Sequence, residues 1–175
     1  MRGDCFQHRT GLGRVLQCRA IVQVIRDLLS AEARAMLEAI APHLELFVVA
    51  ERDARAVLGF AEEAEALAAA IASRYGIPLV ALTRPPGSEP GDLLWARGVI
   101  HYAPRYPVEI VDRIGAGDSF VGGLVHGLLD GDPDLAIRFA SYAAALALAT
   151  PGDINHFGPE DLAAFEAGMT AGLVR

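Results

Sequence analysis

The chain has 175 residues, of which 53% are hydrophobic, and a formal net charge of -7. Its length predicts one buried core rather than two. The acidic balance, without a stripe of basic residues, argues against nucleic acid as a partner, and no apolar run reaches the roughly 20 residues that a membrane span requires.

Residues 1–27 have weak hydrophobic periodicity and scattered arginines, and we expect a poorly ordered leader there. The segment lacks the long apolar core of a signal peptide, which predicts a cytoplasmic protein. Cys5 and Cys18 fit neither a redox pair nor a zinc knuckle, so reduced thiols are expected. Gly11 and Gly13 are interpreted as part of a turn rather than of a phosphate-binding loop, because no strand precedes them.

From residue 30 onward, the pattern is one of alternating helices and strands. A helix is predicted at 30–42, with Met36, Leu37 and Ile40 on one face. The apolar run at 44–50 predicts a strand that is buried on both faces of a parallel sheet.

A second helix is predicted at 61–76, because acids occupy its first turn and Gly76 stands where a left-handed cap is needed. The run at 78–83 predicts another buried strand. The order strand, helix, strand implies right-handed crossovers in a parallel sheet, and therefore an α/β fold.

The Pro- and Gly-rich segment 84–92 predicts a loop. Two short strands, 93–96 and 99–102, flank a glycine turn and predict a hairpin at the edge of the sheet. A further strand is predicted at 108–112, followed by a Gly-rich turn and a helix. The last predicted helices are one through 132–149 and one that begins at 158.

The most informative segment is the run DRIGAGD, from Asp112 to Asp118. It lies between a predicted strand and a predicted helix, the edge at which open α/β sheets bind ligands. Gly115, Ala116 and Gly117 let the backbone approach an anion closely, and the unpaired amides of the first helical turn point at that anion. Asp118 can act as a general base toward a hydroxyl whose oxygen attacks the γ-phosphorus of ATP.

The same seven residues can also form a simple strand-to-helix turn, with Asp118 as an ordinary first-turn acid. The motif is shorter than a Walker A loop and lacks its Lys-Ser/Thr pair. Spacing alone leaves both interpretations open.

The run VDRIGAGDSFVGGLVHGLL at 111–129 resembles the second signature of the PfkB, or ribokinase-like, family of carbohydrate kinases, usually D-T-x-G-A-G-D-x-F. Arg113-Ile114 within it, and Pro151-Gly152-Asp153 after the next helix, are similar to the 2-keto-3-deoxygluconate kinases of that family. The resemblance implies a ribokinase-like three-layer α/β/α sandwich with a mostly parallel sheet, and an enzyme that uses ATP and Mg²⁺ to phosphorylate a sugar acid, 2-keto-3-deoxygluconate. Residues 28–175 would be its nucleotide-binding and catalytic part.

By this resemblance, Asp118 is the catalytic base and contacts the sugar. Gly115, Ala116 and Gly117 form the anion hole and contact ATP. Asp112 helps to order the region that holds Mg²⁺ and phosphate.

The resemblance also assigns roles outside this run. Thr83, Arg84 and Gly87 match the loop with which the family covers the nucleotide, although two adjacent prolines depart from the family pattern. Asp153 matches a family aspartate near the sugar, and its alternative role is that of a turn residue between helices.

Glu51 and Asp53 match acids that organise Mg²⁺ and phosphate through water, in a region where Ala50 replaces the family's asparagine. Either acid can instead open a new helix. Trp95 in the predicted hairpin is interpreted as a packing residue rather than a platform for adenine.

The first half of the family's domain is not visible in the sequence, including its Gly-Gly sugar motif, its β-sheet lid and its basic residues for the sugar acid. Two hypotheses follow, an active sugar-acid kinase module and an inactive remnant that binds at most a nucleotide or a partner. Loss of the preceding strands also predicts self-association through an exposed sheet edge.

Overall fold

The computed structural model describes residues 20–23, 31–85, 88–154, 158, 161 and 164. Within these residues it has five strands, named β1 (Ala20–Gln23), β2 (Leu44–Ala50), β3 (Leu79–Thr83), β4 (Leu93–Ala96) and β5 (Val99–Tyr102). The α-helices of the same residues are α1 (Ala31–Ile40), α2 (Glu51–Leu58), α3 (Ala64–Tyr75), α4 (Ala116–Asp130) and α5 (Pro133–Leu148). A short 3-10 helix, Ala41–His43, joins α1 to β2.

The five strands form one mixed sheet in the order β1-β2-β3-β4-β5. The pairings β1 with β2 and β2 with β3 are parallel, so the predicted crossover through helices is confirmed. Strands β4 and β5 add antiparallel pairings at one edge, which confirms the predicted hairpin. The sheet is therefore parallel in its first half and antiparallel in its second.

Alternate residues of the central strands face two separate cores, because successive side chains of a strand point to opposite faces. Phe47 and Leu82 pack with α1, α2 and α3 on one face. Leu46 and Ala81 pack with α4 and α5 on the other face. The sheet thus lies between two helical layers, as the α/β/α prediction requires.

Helices α4 and α5 lie very close together through glycines of α4. A Cβ atom added to Gly127 would lie 2.5 Å from the Cα of Ala136, and one added to Gly123 would lie 3.1 Å from the Cα of Ala140. A side chain at these glycines would meet backbone or Cβ atoms of α5, so the glycines permit this spacing.

The predicted strand at 108–112 is wrong, since residues 103–113 contain no strand. The backbone N–H groups of Val111 and Asp112 donate instead to the carbonyl oxygen of Leu148, at 2.8 and 3.2 Å. These amides are used by the end of α5 and are not available to a strand ladder.

The helix predicted at 30–42 is confirmed as α1, but most of its predicted apolar face is not buried. Leu37 is 5% exposed, whereas Met36 is 65% and Ile40 is 38% exposed. Helical spacing placed the three residues on one face, but of the three only Leu37 packs in the core.

Several predictions fall wholly or partly outside the described residues, among them those on Cys5, Cys18, Gly87 and the helix from 158. Residues 20–23, which belong to the predicted leader, form β1. No helix in the described ranges combines the length and apolar character that crossing a membrane requires. Self-association through a sheet edge stays a prediction.

Candidate active site

The start of α4 is the predicted anion hole. Gly115 precedes the helix with a φ of 79°, a left-handed conformation that suits glycine, and no side chain of the described residues caps this end. The N–H of Ser119 donates to the carbonyl of Gly115 at 2.9 Å, which closes the first helical turn. The amides before Ser119 have no partner within the helix and carry the positive end of its dipole.

Asp112 holds the turn that leads into this helix. Its Oδ1 accepts hydrogen bonds from the amides of Arg113, at 2.6 Å, and Ile114, at 3.1 Å. Its Oδ2 accepts a hydrogen bond from the amide of Gly152 at 3.1 Å. The bonds from the amides of Ile114, Gly152 and Arg113 lower the pKa of Asp112 below its ordinary value of 3.8.

The loop that contains Asp153 lies directly on Gly115. A Cβ atom at Gly115 would be 2.8 Å from the carbonyl oxygen of Asp153 and 3.2 Å from its Cα. The side chain of Asp153 is exposed. The structure thus brings the predicted substrate residue Asp153 next to the predicted anion hole.

Asp118 lies in the first turn of α4 with an exposed side chain. Ala116 and Gly117 line a neighbouring cavity, but Asp118 is not among the residues that line it. The carboxylate therefore stands at the solvent side of the helix start, where it can meet a hydroxyl group from outside the cavity.

A cavity of about 360 Å³ lies between the end of β3, residues 104–106 and helices α4 and α5. This volume is in the range of small-molecule sites. Its apolar lining comes from Pro104, Tyr106, Phe120, Ala144, Ala145 and Leu148. Its polar lining includes Thr83, Asp92, Ser141 and the arginines Arg52, Arg84, Arg105 and Arg113.

One carboxylate, Asp92, joins three walls of this cavity. Its Oδ1 accepts a hydrogen bond from the backbone N–H of Arg84 at 2.8 Å, and its Oδ2 accepts one from the hydroxyl of Ser141 at 2.7 Å. The guanidinium of Arg105 lies 3.7 Å from the same carboxylate. Asp92 therefore fixes the end of β3 and residue 105 relative to α5.

The cavity brings together Thr83, Arg84, Ala116 and Gly117, the four lining residues that were predicted from the sequence. Asp92, Arg105 and Ser141 were not predicted, because they belong to no motif. Arg52 was also missed, although it stands between the predicted acids Glu51 and Asp53. Arg113 is part of the run DRIGAGD, where it replaces the threonine of the usual family signature. Its place in that run was the feature of the sequence that could have identified it as a site residue.

The acids predicted to handle metal, Glu51 and Asp53, lie in the first turn of α2, which confirms that they open a helix. Oε1 of Glu51 accepts a hydrogen bond from Arg55 at 2.8 Å, and Oε2 accepts one from Arg84 at 2.9 Å. Asp53 lies 3.3 Å from the Nε of Arg52.

Within the described ranges, no group of three or more His, Cys, Asp or Glu side chains is arranged so that it could hold a metal ion. Because Mg²⁺ is bound by oxygen ligands and both oxygens of Glu51 are engaged by arginines, these acids do not fit a direct Mg²⁺ site. Their indirect role through water stays a prediction.

Trp95 on β4 packs against the core that β2 and β3 share with α1, α2 and α3. It does not line the cavity. The packing interpretation of this residue is confirmed.

Comparison with known proteins identifies relatives of this fold. The model of the pfkB family carbohydrate kinases matches residues 10–159, a range that includes part of the predicted leader. The chain is 33% identical to 2-dehydro-3-deoxygalactonokinase of Haloferax volcanii over 146 residues. The matched stretch covers 83% of this chain and 45% of that protein.

Two solved structures are similar to the chain. One is 2-dehydro-3-deoxygluconokinase from Thermotoga maritima, with 25% identity, a TM-score of 0.73, and coverage of 88% of this chain and 50% of that one. The other is a PfkB family carbohydrate kinase from Listeria grayi, with 25% identity, a TM-score of 0.72, and coverage of 89% of this chain and 52% of that one.

The chain spans about half the length of the relatives that it matches. The family model, in contrast, matches well over half of the chain. The fold of the chain is ribokinase-like, as the similar solved structures indicate. The chain therefore belongs to the pfkB family of carbohydrate kinases.

Proposed function

We propose that residues 28–175 are the nucleotide-binding and catalytic part of a sugar kinase that transfers the γ-phosphoryl group of ATP to a hydroxyl of a sugar acid. The observation that carries this proposal is the uncapped, glycine-led start of α4, which adjoins both an arginine-lined cavity and the exposed carboxylate of Asp118. Amides and arginines are suited to a polyphosphate, and a carboxylate is suited to a hydroxyl proton.

The cavity has the two-sided character that ATP requires. Its apolar side, including Tyr106 and Leu148, can take the base, while Thr83, Arg84 and Arg113 line a polar side that can take phosphates. The family resemblance adds Gly87 to the nucleotide contacts.

In the proposed reaction, Asp118 accepts the proton of the substrate hydroxyl as its oxygen attacks the γ-phosphorus. The bond between that phosphorus and the bridging oxygen of ADP breaks, and ADP leaves with the electron pair. The amides of Gly115, Ala116 and Gly117 donate hydrogen bonds to the oxygens of the transferred group, which stabilises its charge. Asp112 holds the turn in place through its three amide contacts.

The proposed acceptor is 2-keto-3-deoxygluconate, which would lie on the Asp118 side of α4 near Asp153. Relatives support this class of acceptor, since two of them are named as kinases of 2-dehydro-3-deoxy sugar acids. The two names differ in the sugar, gluconate or galactonate, so both acids belong in the assay.

The test is ADP formation by the full chain with ATP and each sugar acid, compared with Asp118→Asn. We expect the substitution to lower sugar-dependent turnover at least about 100-fold, because it removes the general base without changing the size of the side chain. Asp130→Asn is the matched control, since Asp130 is exposed at the other end of the same helix. Turnover that survives Asp118→Asn unchanged contradicts the proposed role.

A second candidate is a catalytically inactive module that binds a nucleotide or a partner. It is favoured by the exposed position of the Asp118 side chain, outside the cavity. Stabilisation of the fold by ATP without any turnover would select this candidate, because a ligand raises the melting temperature when it binds the folded state.

A further inference from the structure

A second cavity of about 220 Å³ adjoins the first at its cationic side. The two cavities share four lining residues, which are Arg52, Thr83, Arg84 and Arg113. The α5 residues that form the apolar lining of the larger cavity do not line the smaller one. The junction is therefore the polar end of the site, opposite the apolar lining.

Of the three arginines at this junction, Arg84 is committed to the protein. Its Nε donates to Glu51 at 2.9 Å, and its Nη1 donates to the carbonyl oxygens of Pro90 and Gly91. Its side chain is 11% exposed. Most of the N–H donors of Arg84 are thus engaged by the protein, and few remain for a ligand.

The other two arginines keep donors available. The guanidinium of Arg113 has no hydrogen bond or ion pair with any described residue, and Arg113 is exposed. Arg52 is 61% exposed and pairs with Asp53 through its Nε, which leaves its two terminal nitrogens. Both side chains line both cavities.

The nearby acids do not offer a matching set of metal ligands, because Glu51 is engaged by Arg55 and Arg84 and Asp53 lies beside Arg52. Positive charge at the junction is therefore supplied by the arginine side chains rather than by a metal ion that the acids would bind. Guanidinium groups bind phosphate oxygens through paired, charge-assisted hydrogen bonds.

We propose that Arg52 and Arg113 bind the distal phosphates of the nucleotide directly, so that arginines rather than acid-bound metal supply the protein's counter-charge at that end. This inference rests on the proposed function, because it assumes that the cavity takes ATP. It assigns Arg113, where the usual family signature has threonine, a role in distinguishing ATP from nucleotides with fewer phosphates.

The experiment is isothermal titration of AMP, ADP and ATP into the full chain and into Arg113→Gln and Arg52→Gln, with Mg²⁺ or with EDTA. Each substitution should weaken ATP binding about tenfold or more and AMP binding less than about twofold, because a charge-assisted contact to a distal phosphate is lost. For the unsubstituted chain, replacing Mg²⁺ by EDTA should change the Kd for ATP less than about threefold, since the arginines remain.

Arg34→Gln is the matched control, because Arg34 is exposed on α1 and lines neither cavity. It should leave all three affinities unchanged. Melting curves of each variant verify that it is folded before titration.

The possible outcomes separate the two proposals. If the unsubstituted chain binds no nucleotide, the proposed function fails, and this inference fails with it. If ATP binds but both substitutions leave its affinity unchanged, or weaken AMP and ATP equally, the arginine inference alone is overturned. Loss of ATP binding in EDTA would also overturn it, because metal would then carry the counter-charge.

Discussion

Helices α4 and α5 follow each other in the chain and pack together, yet their first turns are built in opposite ways. Helix α5 is capped by Asp132, whose Oδ1 accepts hydrogen bonds from the amides of Asp134, at 2.9 Å, and Leu135, at 3.2 Å. Helix α4 has Gly115 at its N-cap position and has no side-chain cap among the described residues. A capping side chain accepts hydrogen bonds from the first amides of a helix and so stabilises the helix, whereas an uncapped start leaves these amides available to a ligand.

The uncapped start is held by contacts from outside the helix. Asp112 connects the turn to Gly152, and the backbone of Asp153 lies against Gly115. The start of α4 is thus fixed in position while its amides stay available to a ligand.

The largest effect on stability is expected from Gly115→Ala, which disturbs the contacts that hold the start of α4 in position. Its φ of 79° strains any side chain, and the added Cβ would also lie 2.8 Å from the carbonyl oxygen of Asp153. We expect a loss of about 2 kcal/mol or more in the free energy of unfolding, together with weaker ATP binding.

The matched control is Gly76→Ala, because Gly76 has a φ of 67° but no atom within 4 Å of its added Cβ. This substitution should cost about 1 kcal/mol, from backbone strain alone. Urea denaturation measures both values. Equal losses in the two variants would mean that the contact with Asp153 contributes nothing.

A smaller effect is expected from Asp132→Ala, which turns the α5 start into an uncapped one. Removing a helix cap costs about 1 kcal/mol, and the nucleotide affinity should not change because Asp132 lies outside the cavity. Thermal melting and ATP titration measure the two quantities, with Asp130→Ala as the control for loss of an exposed acid. A fall in ATP affinity would contradict the separation of roles.

The smallest effect is expected from Asp112→Asn, and it depends on pH. The folded protein lowers the pKa of Asp112 below 3.8, so its ionised form contributes stability at pH values above 3.8. This contribution is lost as the pH falls through the lowered pKa. The unsubstituted chain should therefore melt at a higher temperature than Asp112→Asn near neutral pH, and the difference should shrink in acid.

The difference in melting temperature, followed by circular dichroism from about pH 7 to about pH 2.5, measures this contribution. A difference that stays constant over that range would show that the carboxylate charge is not responsible.

Much of the fold was predictable from the sequence because its signals are local. The buried runs became β2 and β3, Gly76 ends α3 in the left-handed conformation, and Asp132-Pro133 begins α5. Each of these depends on residues that are neighbours in the chain. The GAGD run likewise identified the start of α4, since its glycines and Asp118 are contiguous.

Features that depend on distant residues were not predictable. Val108 to Asp112 have the composition of a strand, but two of their amides are taken by Leu148, which is more than 30 positions away. Glu51 and Arg84 are 33 positions apart, and Asp92 and Ser141 are 49 apart. Arg84 and Arg113 lie in segments that the sequence singles out, but their meeting with Arg105 around one cavity depends on the folded chain.

The close contact of Gly127 with Ala136 has a mechanical consequence. Helix α4 carries the amides at one end of the cavity, and α5 carries Ala144, Ala145 and Leu148 along its apolar lining. Two helices with no space between their backbones cannot slide or separate without losing that contact. We therefore expect the two helices to move as one unit, so that any narrowing of the cavity around a bound molecule comes from its other walls. These include Thr83 at the end of β3, Arg84 and residues 104–106.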